Sequence, residues 1–200
     1  MKLKMDAKLL ADMVSTAAQA ISAKPMLPVY ECVYVRVTSE SGSPIMSVTG
    51  KDAGMCIVKF TDKLVAMEDG EALIPAKTLI AFLKLMDGEL ELSVDRKLKC
   101  QIKCGGKKTA IVCMDSEDCV FDFTPITNEQ MVAMDGDAFC GIVESTQHCV
   151  ADNDGRPILT GIHFAFDAES GICEGVALDG FRMAIAKKRV ETNESFEVTI

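Results

Sequence analysis

No stretch of this 200-residue chain approaches the roughly 20 consecutive apolar residues that a membrane-spanning helix needs. The N-terminus, MKLKMDAKLL, alternates Lys with apolar residues and reaches Asp6 before a long apolar run develops, so the body of a signal peptide is missing. Both absences lead to the expectation of a cytosolic protein. Positive charge is also short: 21 Lys and Arg against 30 Asp and Glu leave a net charge of −9. That argues against a protein that coats nucleic acid, which needs clustered cations, although local basic surfaces stay open. The nine cysteines, at 32, 56, 100, 104, 113, 119, 140, 149 and 173, form no CxxC pair and fall mostly in apolar segments. They read as small buried hydrophobes in a reducing compartment. A Gly-rich phosphate loop, an HExxH helix and a nucleophile elbow are all lacking, so no motif marks a catalytic or metal centre.

What is present is a repeated plan in a chain of ordinary globular balance, 48% hydrophobic and 26% charged. Gly175 to Ala186, GVALDGFRMAIA, is a β-rich run, an Asp179-Gly180 turn and a second β-rich run; residues 48 to 58, VTGKDAGMCIV, have the same plan with Asp52 in place of Asp179. Upstream of each lie an amphipathic helix, a loop and an alternating strand, with Val33, Val35 and Val37 in one copy and Ile162, Phe164 and Phe166 in the other.

In chain order, Asp6 is an N-cap for a helix from about Ala7 to Ile21, with Leu10, Met13, Val14, Ala17 and Ile21 at helical spacing. Pro25 and Pro28 end it, and strands are expected over Val29 to Thr38, Ile45 to Thr49 and Met55 to Phe60. A second module has a strand from Glu71 to Ile74 and Pro75 at the first helical position. Its helix buries Leu79, Phe82, Leu83 and Met86, turns Lys77, Ala81 and Lys84 away, and stops at Asp87-Gly88. A hairpin of Glu89 to Val94 and Lys97 to Lys103 follows, then Lys108 to Met114 beyond the Gly105-Gly106 turn. Both modules read β-α-β-β-β. Residues 116–130 suit a linker. A third module begins at Met131, with Asp137 as a cap, Phe139, Ile142, Val143, Thr146 and Val150 at helical spacing, and a strand from Ile158 to Asp167. The last run, Phe196, Val198 and Ile200, begins another strand.

The stretches KPMLPVYECVYV (24–35), VTGKDAGM (48–55), EALIPAKTLIAFLKLM (71–86), RPILTGIHF (156–164) and ALDGFRMA (177–184) resemble the bacterial DNA polymerase III β subunit, or sliding clamp, family. The resemblance implies an α+β DNA clamp fold in which β-α-β-β-β modules pair into domains with helices on one face of antiparallel sheets. Three such domains make a subunit, and two subunits close a ring around duplex DNA. It implies an N-terminal domain over 1–120, a linker over 121–130, and the first half of a middle domain over 131–200, hence a fragment or truncated form. It also implies a non-catalytic processivity factor with no cofactor or metal. Its partners would be duplex DNA held without sequence specificity, polymerase III and clamp-loader subunits bound through short linear motifs, and a second copy when full length. It would work in the cytoplasm with the nucleoid.

By position, Leu159, Leu178, Gly180, Phe181, Arg182 and Met183 would form one wall of the family's peptide-binding groove; Lys24, Asn153 and Arg156 would contact DNA. The family usually has Thr where this chain has Leu178 and His or Tyr where it has Phe181, which implies a more apolar wall. Residue chemistry fits: apolar walls give contact area, and one Arg can fix a peptide carboxylate or carbonyl.

Plainer readings stand beside these. A bare Asp-Gly is a hairpin turn, and only its place in a repeated module and the resemblance lift Asp179-Gly180 above that. Lys8, Lys77 and Lys84 occupy either an ordinary solvated helix face or a DNA-facing one. Cys149 beside His148 looks like a nucleophile and base, but helix neighbours point apart. Two other functions remain: a peptide-binding module or decoy that does not encircle DNA, and a small cysteine-dependent enzyme.

Overall fold

The computed structural model describes residues 1–22, 27–39, 42–52, 55–115, 132, 134–152, 155–192 and 194–200. The chain divides into two compact units, Met1–Phe123 and Thr124–Ile200.

The first unit opens with strand β1 (Lys2–Asp6) and helix α1 (Ala7–Ala17). The Asp6 carboxylate caps α1, accepting from the amides of Lys8 at 2.9 Å and Leu9 at 3.0 Å. Leu10, Met13, Val14 and Ala17 are buried as their spacing requires. The helix is shorter than expected: it tightens into a 3₁₀ turn at Ala18–Ala20 and leaves Ile21 extended and half-buried. Strands β2 (Cys32–Thr38), β3 (Ile45–Lys51), β4 (Cys56–Thr61), β5 (Val65–Glu68) and β6 (Gly70–Pro75) follow. Then come helix α2 (Ala76–Leu83) and strands β7 (Glu89–Val94), β8 (Lys99–Cys104) and β9 (Lys107–Val112).

Each module's first strand lies in the other module's sheet. One antiparallel sheet has the order β5-β1-β7-β8-β9 and the other β4-β3-β2-β6. β1 thus pairs with β7, Leu3 facing Leu92, and β6 pairs with β2, Ile74 facing Val33. The exchange interlocks the two modules around one core that includes Leu3, Leu10, Val33, Val35, Leu79, Leu83, Leu90 and Ile102. A smaller apolar cluster of Val29, Cys32, Tyr34 and Leu73 involves the other face of β2 and β6. On that face Thr49 is 1% exposed and its Oγ1 has no hydrogen-bond partner among the described residues. An unmet buried hydroxyl is costly, so Thr49→Val, similar in shape, is expected to stabilise the chain by about 1 kcal/mol. Urea denaturation checks this; a destabilised variant would show that the hydroxyl is satisfied in solution.

Several element boundaries differ from the sequence expectation. Pro75 is the last residue of β6 and the N-cap of α2, with ψ 112°, so the helix starts at Ala76. The strand expected from Val29 starts at Cys32, because Pro28 leads a 3₁₀ turn over Pro28–Glu31. The β7–β8 turn is wider than Asp95-Arg96. The Asp95 carboxylate accepts from the amides of Lys97 at 2.8 Å and Lys99 at 3.1 Å, leaving Leu98 half-buried at φ 56°.

The second unit holds helix α3 (Gly136–Thr146) and strands β10 (His163–Asp167), β11 (Ile172–Leu178), β12 (Met183–Arg189) and β13 (Phe196–Thr199) in the order β12-β11-β10-β13. β10 takes β13 as β2 takes β6, so the topology of the β4-β3-β2-β6 sheet recurs. Asp135, not Asp137, caps α3: its carboxylate accepts from the amides of Asp137 at 3.0 Å and Ala138 at 3.1 Å. Pro157 again leads a 3₁₀ turn, Pro157–Thr160, so the strand expected from Ile158 begins at His163. Ile142, Ile162, Phe164 and Cys173 are buried together. No second helix stands beside α3 among the described residues of this unit, and Phe139, expected in the core, stays 40% exposed.

Candidate functional site

The two Asp turns of the repeat close in the same way. The amide of Asp52 donates to the carbonyl of Met55 at 2.9 Å, and that of Asp179 to the carbonyl of Arg182 at 3.2 Å. At the second turn Gly180 has φ +87°, a conformation that favours glycine. The Asp179 carboxylate accepts from the amides of Phe181 at 2.9 Å and Arg182 at 2.7 Å, and from the Arg182 guanidinium at 2.9 Å (Nε) and 2.7 Å (Nη2). Arg182, expected to fix a peptide carboxylate or carbonyl, here has its guanidinium on Asp179.

The apolar residues around this tip are open to solvent. Phe181 is 98% exposed and Met183 63%, while Leu178 stands at 36%. Register places Leu178 opposite Met183 and Val176 opposite Ile185, so the apolar strip continues one step along β12. Ile185, and Ile158 on the preceding 3₁₀ turn, are exposed apolar residues that sequence reasoning missed. The alternation of Met183 and Ile185 with Ala184 and Ala186 carried the signal for the first of them. Half-buried Leu159 is held through its backbone: its amide donates to the Arg156 carbonyl and its carbonyl accepts from the Ala151 amide, both at 3.0 Å. Arg156 belongs to the same cluster, its Nη2 lying 4.0 Å from where a Cβ on Gly180 would stand.

The amides of Phe181 and Arg182, followed by the Arg182 guanidinium, hold the Asp179 carboxyl down at about 2. A carboxylate depressed on folding stabilises the folded state above its unfolded value of about 3.9. That contribution is lost as the pH falls through about 2. The turn is therefore expected to persist at pH 4 and to open only near pH 2, which a carboxyl-carbon NMR titration of Asp179 reads directly. A midpoint near 4 would show that the amides do not hold it.

Of the residues expected at DNA, Lys24 and Asn153 lie outside the described residues. Lys77 is exposed on α2 and Lys84 is exposed at its C-cap. Lys8 is exposed on α1 and pairs with Asp87 at 3.0 Å, a hydrogen bond that raises the lysine pKa and lowers that of the carboxyl. Structure brings no thiol and imidazole together at Cys149: the cysteine is buried and His148 exposed. Burial pushes the Cys32 thiol up to about 11, and the hydrogen bond to Cys113, then burial, pushes Cys100 up further. Both are poor nucleophiles in that state.

The family descriptions "DNA polymerase III beta subunit, N-terminal domain" and "DNA polymerase III beta subunit, central domain" match residues 1–120 and 133–200. The beta sliding clamp of Halalkalibacterium halodurans is 23% identical over 199 residues, covering 95% of this chain and 50% of the relative. Among solved structures, the DNA polymerase sliding clamp of Bacillus subtilis superposes with a TM-score of 0.89 at 19% identity, over 100% of this chain and 53% of that one. The Pseudomonas aeruginosa sliding clamp bound to griselimycin gives 0.82 at 21%, over 100% and 53%. At such identities these structures speak for the fold. The chain spans about half the length of the relatives it matches. With both matched domains and the exchanged-strand topology in place, the chain belongs to the DNA polymerase III beta subunit family, the β sliding clamps.

Proposed function

We propose that this chain forms part of a sliding clamp, the processivity factor of a bacterial replicative polymerase, encircling duplex DNA as a ring of two subunits. The observation that carries the proposal is the repeated module: β13 completes the β10 sheet as β6 completes the β2 sheet, in a chain that matches two successive clamp domains. On this reading residues 1–120 form the first clamp domain, 121–130 a linker, and 131–200 the first half of the next. A closed ring needs no tight contact to stay on DNA, so it raises the concentration of a tethered polymerase at the primer end. Phosphoryl transfer would belong to the polymerase, with this chain acting as a non-catalytic accessory. Lys77 and Lys84 would attract phosphates through water without fixing register, with Lys8 partly offset by Asp87. Lys24, Asn153 and Arg156 would add loop contacts. Leu159, Leu178, Gly180, Phe181, Arg182 and Met183 would form one wall of a groove for linear motifs of polymerase and clamp-loader subunits. The ring would act in the cytoplasm, at the nucleoid.

The test is retention of the intact gene product on circular and linear DNA, alongside its mass in solution. A dimer that stays on a closed circle and runs off a linear duplex supports encirclement. Equal loss from both would sink it and leave the peptide surface as the working part.

A further inference from the structure

One carboxylate organises the β11–β12 tip. Asp179 takes two consecutive backbone amides on one oxygen and two guanidinium N–H groups on the other, all between 2.7 and 2.9 Å. Its own side chain is only 14% exposed, although Phe181, two residues on, is 98% exposed. Exposing an aromatic ring forgoes hydrophobic stabilisation, and ordering a loop costs conformational entropy. A turn that does both holds the backbone carrying the ring in place before any partner arrives, and such ordering in advance lowers the cost of binding. The Arg182 guanidinium is meanwhile engaged through Nε and Nη2 with the Asp179 carboxylate, which competes with pairing to an incoming chain's carboxylate.

Resting on the groove reading above, we infer that Asp179 is a positioning residue of the peptide-binding wall. It fixes Phe181 outward as a preformed apolar anchor and fastens Arg182 as part of the turn. Partner segments then dock on the faces of Phe181, Leu178 and Met183, and Arg182 contributes by rigidity rather than by pairing with the ligand.

The probe is griselimycin, the ligand of the Pseudomonas aeruginosa neighbour, immobilised for surface plasmon resonance. Backbone amide exchange and the melting temperature are followed in the same samples. Asp179→Asn should lose about tenfold in affinity, as Phe181→Ala should, and Asp179→Asn should also lower the melting temperature to the extent that its carboxylate stabilises the folded state. In Asp179→Asn the amides of Phe181 and Arg182 should exchange faster while those of β11 and β12 stay protected. Arg182→Gln should weaken binding in the unsubstituted chain and add no further loss in the Asp179→Asn background, since the pair acts as one unit. An equal loss from Arg182→Gln in both backgrounds would mean that Arg182 meets the ligand itself, which overturns the assignment. Normal griselimycin binding with unaltered exchange in Asp179→Asn overturns the positioning role alone. All variants are made in the intact gene product, because this chain carries one wall of the groove; failure of that unsubstituted protein to bind griselimycin overturns the groove reading, and the positioning role in binding with it.

Discussion

Gly50→Ala is expected to destabilise the first unit by about 3 kcal/mol or more. β3 passes directly beneath the end of α1, and a Cβ on Gly50 would stand 1.9 Å from the Ala17 carbonyl oxygen and 2.6 Å from its carbon. Both obstacles are backbone, so the helix end itself must move. Leu10, Met13, Val14 and Ala17 would move with it, and all four are buried. Gly175 plays the matching part under α3, but there the nearest atom is the Ile142 Cγ2 methyl at 2.2 Å, a side-chain group that can yield by a costly change of its helical rotamer while the α3 backbone stays in place. Gly175→Ala should therefore cost less than Gly50→Ala. Gly106 is the control. It has φ +83° with nothing within 4 Å of its Cβ position, so Gly106→Ala should cost only the backbone strain of about 1–2 kcal/mol. Urea denaturation of the three variants ranks them, and a Gly50→Ala loss no larger than that of Gly106→Ala would mean that α1 and β3 do not approach this closely.

Phe164→Ala should remove about 3–5 kcal/mol from the second unit. Phe164 is 2% exposed at the centre of the cluster of Ile142, Cys149, Ile162, Cys173 and Ala177. Its ring stacks on Phe139 at 5.5 Å and Phe166 at 6.4 Å, and Phe166 continues to Phe196 at 4.7 Å. This row ties α3, β10 and β13 together, so truncating its middle ring opens a cavity and unlinks the layers. Amide exchange should rise across β10 to β13 while β1, β7 and β8 keep their protection. A loss under about 1 kcal/mol would show that the aromatic row does not hold the unit together.

The chain by itself determined whatever depends on neighbours within one turn or one strand. Asp6 sits before an apolar stripe and caps a helix because its carboxylate reaches amides two and three residues ahead. Val33, Val35 and Val37 alternate and are buried because a strand sends every second side chain to one face. The Asp-Gly turn between two β-rich runs, and its repetition, were equally legible. The same local rules misplaced short features. Asp137 and Asp135 both satisfy the cap pattern, and only the amides that lie within reach select Asp135. The Pro-led 3₁₀ turns read as strand because their apolar residues, Val29-Tyr30 and Ile158-Leu159, lie just ahead of the true strands and extend their apolar runs.

Tertiary structure alone decided which strand lies beside which. β1 and β7 are separated by more than eighty residues, with Leu3 facing Leu92, and any strand offers the same backbone donors and acceptors to any other. The choice falls to burial: exchanging β1 and β6 between modules closes one core around Leu3, Leu79 and Leu90, which no short window of sequence contains. The same holds at the tip. A sequence shows that Asp179 and Arg182 lie three residues apart, but only the turn's geometry puts the guanidinium on the carboxylate and leaves the Phe181 ring to face solvent.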